Sequence, residues 1–308
     1  MAARKEITIT RRAMACDFSL TFPAEERCAL DAGCAALDEV ERVETKLSAY
    51  RQDSELTYMN RHAWETPVEV DEELFSLLTT SARLAAITGG AFDPAAGALI
   101  KAWGFFRPPR RVPSDAERQA ALASCGMARV ELDSLRQRVR YLCPDLEINL
   151  GGVGKGYAID RALESISAQS VLVQGGQSSL RALGRWRVAI GDPFRPARAM
   201  VMVRLRDRAL GTSAATHQHF FQGGRRYGHV LDPRTGWPAE TLASATAMAP
   251  TAAEADALST AFFVMGVEGT RCYCREHRDI GAVLLTKPEP GRVPQLKVIG
   301  SADVEILQ

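Results

Sequence analysis

Apolar and polar residues alternate from residue 6 to 22, ending in Phe18-Ser19-Leu20-Thr21-Phe22, which is the two-residue period of a strand. From about Ala24 to Leu47 the period lengthens. Leu30, Cys34, Leu37, Val40, Val43 and Leu47 recur every three or four residues and predict a long amphipathic helix. Asp53-Ser54 can cap a short helix after it. A further helix is expected over 71–88, with Asp71 as its cap and Gly89-Gly90 as its stop. Ser114-Asp115 opens a short helix over 114–123. Two strands near 129–132 and 138–142 read as a hairpin-like pair. A strand at Ile148-Asn149-Leu150 passes through a glycine-rich turn into another helix. Strands are expected near 171–174, 180–190 and 200–205, a helix over about 254–265, and late strands over 281–286 and 296–299. Helices and strands are mixed rather than strictly alternating, which indicates an α+β fold. No repeat, low-complexity segment or linker interrupts the 308 residues, so one compact unit spanning 1–308 is expected.

Composition narrows the classes of function. Apolar residues make up 46% and charged residues 24%, an ordinary globular balance. Lys plus Arg (38) nearly cancel Asp plus Glu (37), so neither nucleic acid nor an acidic membrane surface is an expected partner. The one dense basic run, Arg107-Pro108-Pro109-Arg110-Arg111, is short and proline-containing and reads as a solvated loop. The seven cysteines include no C-x-x-C pair. Cys272-Tyr273-Cys274 would share one face on a strand, but no set of four His and Cys stands nearby to complete a zinc site. Free, mostly buried thiols in a reducing compartment are expected. No stretch approaches the roughly eighteen apolar residues of a membrane span. The opening M-A-A-R-K-E-I-T-I-T lacks a signal peptide's apolar run. With Met1 as the natural start, a cytoplasmic protein is expected; a trimmed export signal would make it periplasmic.

Residues 227–238 read Y-G-H-V-L-D-P-R-T-G-W-P and carry the densest chemistry. His229, Asp232 and Arg234 lie within six residues, and histidine is the side chain whose unperturbed pKa lies near neutrality. Asp232-Pro233 favours a turn and Thr235-Gly236 continues it. The segment reads as a strand end that delivers His229 to a cleft and then reverses, or as a plain strand–turn with a surface histidine. Gly151-Gly152-Val153-Gly154-Lys155-Gly156 can bring backbone N–H groups to an anion at a helix N-terminus, with Lys155 adding a point charge. Its spacing matches neither dinucleotide nor Walker patterns, and a tight strand–helix turn is the alternative. Asp256 and Thr260, at i and i+4, share a helix face and can offer two oxygens to a hard cation such as magnesium. The alternative for Asp256 is an early-turn acid complementing the helix dipole. Gly89-Gly90-Ala91-Phe92-Asp93-Pro94 can hold an aromatic ring or a ligand, or simply place Phe92 in the core. Gly211-Thr212-Ser213-Ala214 supplies small hydroxyls near the sheet or forms a plain turn.

In order and spacing, S-A-Y-R-Q-D-S-E-L-T-Y-M-N, G-G-A-F-D-P-A-A-G-A-L-I-K-A-W-G-F, I-N-L-G-G-V-G-K-G-Y-A-I-D, G-T-S-A, Y-G-H-V-L-D-P-R-T-G-W-P and A-D-A-L-S-T-A resemble the ApbE-type FAD:protein FMN transferases. The resemblance runs from about Met14 to Gly266. It implies an α+β unit with mixed or antiparallel sheets and packed helices, FAD as substrate and magnesium (Mg2+) as cofactor. The implied reaction moves FMN from FAD to a threonine or serine hydroxyl of a target flavoprotein and releases AMP. The same site could instead hydrolyse FAD to FMN and AMP, or a non-catalytic relative could only bind FAD.

By the same resemblance, His229 takes the proton of the incoming hydroxyl and belongs to the FAD pocket. Asp256 and Thr260 ligate magnesium through side-chain oxygens and Gly154 through its main-chain carbonyl. Met14, Tyr50, Ala91, Phe92 and Asp93 line the FAD pocket, with Lys155 by the pyrophosphate. Asp232 and Arg234 shape the His229 turn, and Asp232 is a second catalytic candidate. Asn149 stands where an aspartate is usual before L-G-G. Gly175-Gly176-Gln177 replaces G-G-N, Ala214 replaces a glycine, Ala215-Thr216-His217 replaces an acidic or aromatic pattern, and M-A-C replaces M-G-T at Met14. These departures bear on FAD affinity and acceptor choice rather than on His229, Asp256 or Thr260.

Overall fold

The alternating run at the N-terminus is two strands, not one. In the computed structural model, which describes residues 5–214, 218–288 and 293–307, β1 (Glu6–Ala13) and β2 (Cys16–Pro23) pair antiparallel. Between them, Met14 and Ala15 take left-handed φ values of 47° and 59°, the twist of a primed two-residue hairpin turn. The signal was a slip of phase. Inward positions are odd before the turn (Ile7, Ile9, Ala13) and even after it (Phe18, Leu20, Phe22).

A 3-10 turn (Ala24–Ala29) precedes α1 (Leu30–Leu47), so the helix begins later than its periodicity suggested. Leu37, Val40, Val43 and Leu47 are buried along it, while Cys34 faces out. In α2 (Glu55–His62) the Ser54 hydroxyl accepts the Thr57 N–H at 3.0 Å. A short β3 (Val68–Glu69) leads to α3 (Glu72–Ile87), capped by Asp71 on the Leu74 N–H at 2.9 Å. A short α4 (Gly97–Ala102) was not anticipated. α5 (Asp115–Ala123) starts in a capping box of Ser114 and Glu117. β4 (Val130–Asp133) and β5 (Arg138–Tyr141) form the expected hairpin, with β3 on the far side of β5. The strand expected at 148–150 is absent. Leu150–Gly152 is a 3-10 turn that runs into α6 (Gly154–Glu164).

The expected strand over 180–190 is also two. Gly184, at a φ of 75°, separates β7 (Ser179–Leu183), which follows β6 (Val171–Gly175), from β8 (Arg185–Asp192). Then come β9 (Arg195–Arg206), β10 (Ala209–Ala214), a hairpin of β11 (His219–Gln222) and β12 (Arg225–Gly228), and β13 (Leu242–Ala249). α7 (Ala252–Glu276) is longer than expected, because the chain continues as helix past a break at Gly266. Cys272 and Cys274 therefore lie on a helix, one exposed and one buried, rather than on one face of a strand. β14 (Gly281–Thr286), β15 (Leu296–Gly300) and β16 (Val304–Ile306) complete the chain.

Eight strands make the main sheet in the order β1-β2-β6-β7-β10-β13-β14-β15, every neighbouring pair antiparallel. This is the expected α+β class. Alternate residues face opposite ways. Val171, Val173, Ala245 and Ala247 join Val40, Ile159, Phe262 and Phe263 in the core under the helices. Leu172, Leu210 and Met248 face the other way, against Trp186, Val188 and Val203 of the small β16-β9-β8 sheet. A third cluster, with Leu99, Trp103, Phe105, Tyr227 and Leu231, supports the His229 segment. All eight residues of β13 are buried, and such a strand shows no alternation.

Among the described thiols only Cys125 and Cys274 are buried; Cys16 and Cys143 are half-buried, and Cys34 and Cys272 are exposed. The cysteines are free as expected but not mostly buried; the Cys28 side chain lies outside the described set. Arg107–Arg111 is an exposed loop, as expected. Among the described residues no helix is long and apolar enough to cross a membrane.

α6 and α7 touch backbone to backbone. A Cβ on Gly156 would lie 2.1 Å from the Ala252 carbonyl oxygen, and one on Gly211 of β10 would lie 2.4 Å from that of Ala255. Only glycine allows such approach. Gly156→Ala is therefore expected to lower stability by about 1–3 kcal/mol, the cost of overpacking, seen as a lower melting temperature. Gly154→Ala, whose Cβ meets Leu150 only at 3.9 Å, is the control and should melt close to the parent. Equal melting of the two variants would contradict this packing.

Candidate active site at the joined N-termini of two helices

The first turns of α6 and α7 exchange carboxylates. Asp256 of α7 is 7% exposed, and its Oδ2 accepts the Gly156 N–H of α6 at 2.8 Å. Asp160, four residues after Gly156 on the same face of α6, accepts the N–H groups of Ala252 and Ala253, each at 2.9 Å. Arg181 of β7 pairs with Asp160 at 2.6 Å. Thr251 caps the Glu254 N–H at 3.3 Å. The otherwise unpaired amides of the α7 start are thus satisfied by side chains.

Burial pushes the Asp256 pKa up to about 6, against the pull of the Lys155 charge, the Ser179 hydroxyl and the Gly156 amide. Lys155 itself donates to the Ser178 hydroxyl in the turn after β6. One helical turn beyond Asp256, the Thr260 hydroxyl lies 3.2 Å from that of Ser213 and 3.4 Å from the Asp256 carbonyl. A Cβ on Gly152 would lie 3.3 Å from the Phe92 ring and 3.6 Å from the Thr260 hydroxyl. The glycine-rich turn, the A-F-D loop, the G-T-S-A strand and α7 therefore meet at one place. Gly154 opens α6 beside them.

Ala91 and Phe92 are buried. The Asp93 carboxylate turns to its own loop, accepting the Ala95 N–H at 2.8 Å and the Met127 N–H at 3.0 Å. Burial raises its pKa despite those bonds. Asn149 ties two motifs together. Its N–H donates to the Pro94 carbonyl at 2.7 Å, and its side-chain oxygen accepts the Gly151 N–H at 2.8 Å. The Met14 turn rides on the β6–β7 turn, where the Gly176 N–H donates to the Asp17 carbonyl at 2.8 Å. Tyr50 is 60% exposed and stacks on Phe106 at 4.7 Å. Phe106 lines a cavity of about 440 Å³ with Arg61, Lys101, Arg107 and Glu147. None of Lys155, Asp256 or Thr260 lines it.

His229 follows directly on β12, and the chain then reverses, with Leu231 bridged to Pro238. The His229 N–H donates to the Gln218 carbonyl at 3.1 Å, and Nδ1 lies 3.1 Å from the same oxygen. A carbonyl only accepts, so that contact requires Nδ1–H, which in the neutral ring puts the lone pair on Nε2. Phe105 stands edge-on to the ring at 6.4 Å. The Asp232 carboxylate accepts from Arg234 through the backbone N–H at 3.0 Å, Nε at 2.8 Å and Nη2 at 2.9 Å. Its carbonyl accepts the Gly236 N–H at 2.8 Å. These contacts with Arg234 let Asp232 hold the turn. A Cβ on Gly90 would lie 3.7 Å from the Arg234 side chain, so this turn adjoins the A-F-D loop. Residues 215–217, with His217, lie outside the described residues.

Sequence reasoning passed over Asp160, Ser178 and Ser179. Asp160 left a signal: it is an acid between Ile159 and Ala162 on the buried face of α6, and a buried carboxylate needs a partner.

Among the described residues no group of three or more His, Cys, Asp or Glu side chains could hold a metal ion. A site of one carboxylate, one hydroxyl and one backbone oxygen falls outside that pattern. Such a set suits magnesium, which keeps several waters and phosphate oxygens. Asp256 is buried, and the Thr260 hydroxyl lies one turn on, beside the Asp256 main-chain carbonyl; this donor set fits a hard cation.

This fold is shared with a class of transferase enzymes. The FAD:protein FMN transferase of Treponema pallidum is 34% identical over 282 residues, spanning 82% of this chain and 77% of that one. The crystal structure of the ApbE protein from Thermotoga maritima superposes with a TM-score of 0.84 at 30% identity, covering 94% of this chain and 96% of the other. The apo flavinyl transferase ApbE of Pseudomonas stutzeri gives 0.82 at 26% identity, covering 95% of each. The ApbE family model matches residues 7–284, and the chain belongs to the ApbE family.

An acid whose pKa is raised by folding favours the fold when protonated. Its contribution is complete below the ordinary value of 3.8 and is lost as pH rises through about 6. For the metal-free protein at pH 8 this penalty is on the order of 3 kcal/mol. Asp256→Asn without divalent ions should therefore melt several degrees above the parent at pH 8, with the gap closing below pH 4. Parallel melting curves across that range would contradict the buried, ionisable Asp256.

Proposed function

We propose that this protein moves FMN from FAD to a threonine or serine hydroxyl of a target flavoprotein and releases AMP. The observation that carries this reading is the buried Asp256 carboxylate, joined to Thr260, Lys155 and the glycine-rich turn at one place. The names of its relatives support the substrate. Asp256, Thr260 and the Gly154 carbonyl would hold magnesium, which when bound compensates pyrophosphate charge. Lys155 adds positive charge on the same side. Amides of the glycine turn and the α6 start are oriented donors for phosphate oxygens. Met14, Tyr50, Ala91, Phe92, Asp93 and Asn149 belong to the FAD pocket, Asp93 and Asn149 by fixing its loops.

His229 Nε2 accepts the proton of the attacking hydroxyl. The hydroxyl oxygen bonds to the FMN-side phosphorus, the bond from that phosphorus to the bridging oxygen breaks, and AMP leaves with the electron pair. Nδ1–H, held by the Gln218 carbonyl, keeps the ring in the basic tautomer. Asp232 serves this step through the turn that presents His229. Water in place of the hydroxyl would turn the same site to hydrolysis.

Incubation with FAD, magnesium and a candidate acceptor should yield AMP and acceptor heavier by one FMN, read by mass spectrometry. AMP with no modified acceptor would mean hydrolysis; intact FAD would contradict both. His229→Ala should bind FAD yet turn over roughly 10²–10⁴-fold more slowly, the usual cost of losing a general base. A full-rate variant would remove His229 from the chemistry.

A further inference from the structure

We propose that Asp160 is a positioning residue for the ion site, holding α7 so that Asp256 and Thr260 face a bound divalent cation. This rests on the ion-site reading above and goes beyond it by naming a residue that touches neither ion nor FAD.

Gly156 and Asp160 stand at i and i+4 on α6, and Ala252 and Asp256 stand at i and i+4 on α7. The Gly156 amide meets the Asp256 carboxylate at 2.8 Å, and the Ala252 amide meets the Asp160 carboxylate at 2.9 Å. The two helices are joined at two points one turn apart, which fixes both the separation and the rotation of α7. Without Asp160 the start of α7 would lose its two amide contacts to α6, and Thr260 would be held less firmly against Ser213 and Gly152. Asp160 also places a negative charge at the positive end of α7. Without it, a cation near Asp256 would face the unbalanced helix start. Arg181 reaches Asp160 at 2.6 Å from β7 and fixes the carboxylate relative to the main sheet. Groups that orient metal ligands without touching the metal typically change affinity when removed.

The test is Mn2+ titration of the purified full chain without FAD, with free ion followed by electron paramagnetic resonance. Circular dichroism confirms folding at the titration temperature. Asp160→Asn keeps the side-chain shape but loses the charge and one acceptor. It should weaken Mn2+ binding by about tenfold or more, in the range seen when groups behind metal ligands are changed. Arg181→Gln leaves the Asp160 carboxylate in place and should weaken it by a smaller factor. This variant carries the test if Asp160→Asn does not fold. Folded variants that bind Mn2+ as the parent does, while Asp256→Ala does not bind, would overturn the role of Asp160 and leave the ion site standing. Absence of Mn2+ binding by the parent, or undiminished binding by Asp256→Ala, would overturn the ion site and this inference with it.

Discussion

The structure around the candidate site depends on two helix starts pressed together closely enough to trade carboxylates. Asp256 crosses to the Gly156 amide and Asp160 crosses back to the amides of Ala252 and Ala253. The exchange needs a glycine, since any Cβ at position 156 would overlap the Ala252 carbonyl. It also needs burial. In water a carboxylate gains little from one more amide, whereas in the interior an unpaired one is costly. The same burial that makes these bonds strong leaves Asp256 reluctant to ionise alone, and that reluctance is what a hard cation would relieve.

The rest of the fold arranges itself around this junction. The main sheet supplies the floor, with β10 lying so close to α7 that Gly211 too admits no side chain. The turn after β6 and the ends of β7 and β10 bring Ser178, Ser179 and Ser213 to the same end as Lys155 and Thr260. The Phe92 loop closes over Gly152, and Asn149 ties that loop to the glycine turn. The His229 turn is a separately braced unit. Trp103 donates to the Gly236 carbonyl at 2.9 Å, and the Asp232–Arg234 pair stiffens the reversal. The proposed base sits on a braced turn and the proposed ion site on a helix junction, and Gly90 beside Arg234 is where the two units meet.

Much of this was legible in the residues. Ser54, Asp71 and Ser114 marked helix starts because a capping oxygen has a local job that one sequence window reveals. The i, i+4 spacing of Asp256 and Thr260 put them on one face for the same reason. The misses share a different cause. β13 is buried on both sides and rich in alanine, so no period betrayed it. The first hairpin turns on Met14 and Ala15, neither a turn former by composition, and only the phase slip marks it. Asp160 was passed over because the amides it accepts from lie more than ninety residues away, beyond any local pattern. Phe92, with core and ligand readings both open, is buried and packs against the glycine turn, as the core reading has it.

The central claim is that the junction of α6 and α7 is an ion site facing a pyrophosphate. A crystal structure of the protein with Mn2+ and FAD, located by anomalous scattering, tests it most directly. The account predicts a single strong manganese peak bonded to the Asp256 carboxylate and the Thr260 hydroxyl, with phosphate oxygens of FAD completing its shell. Manganese elsewhere, with Asp256 bonded only to Gly156 and Ser179 while FAD is bound, would contradict it.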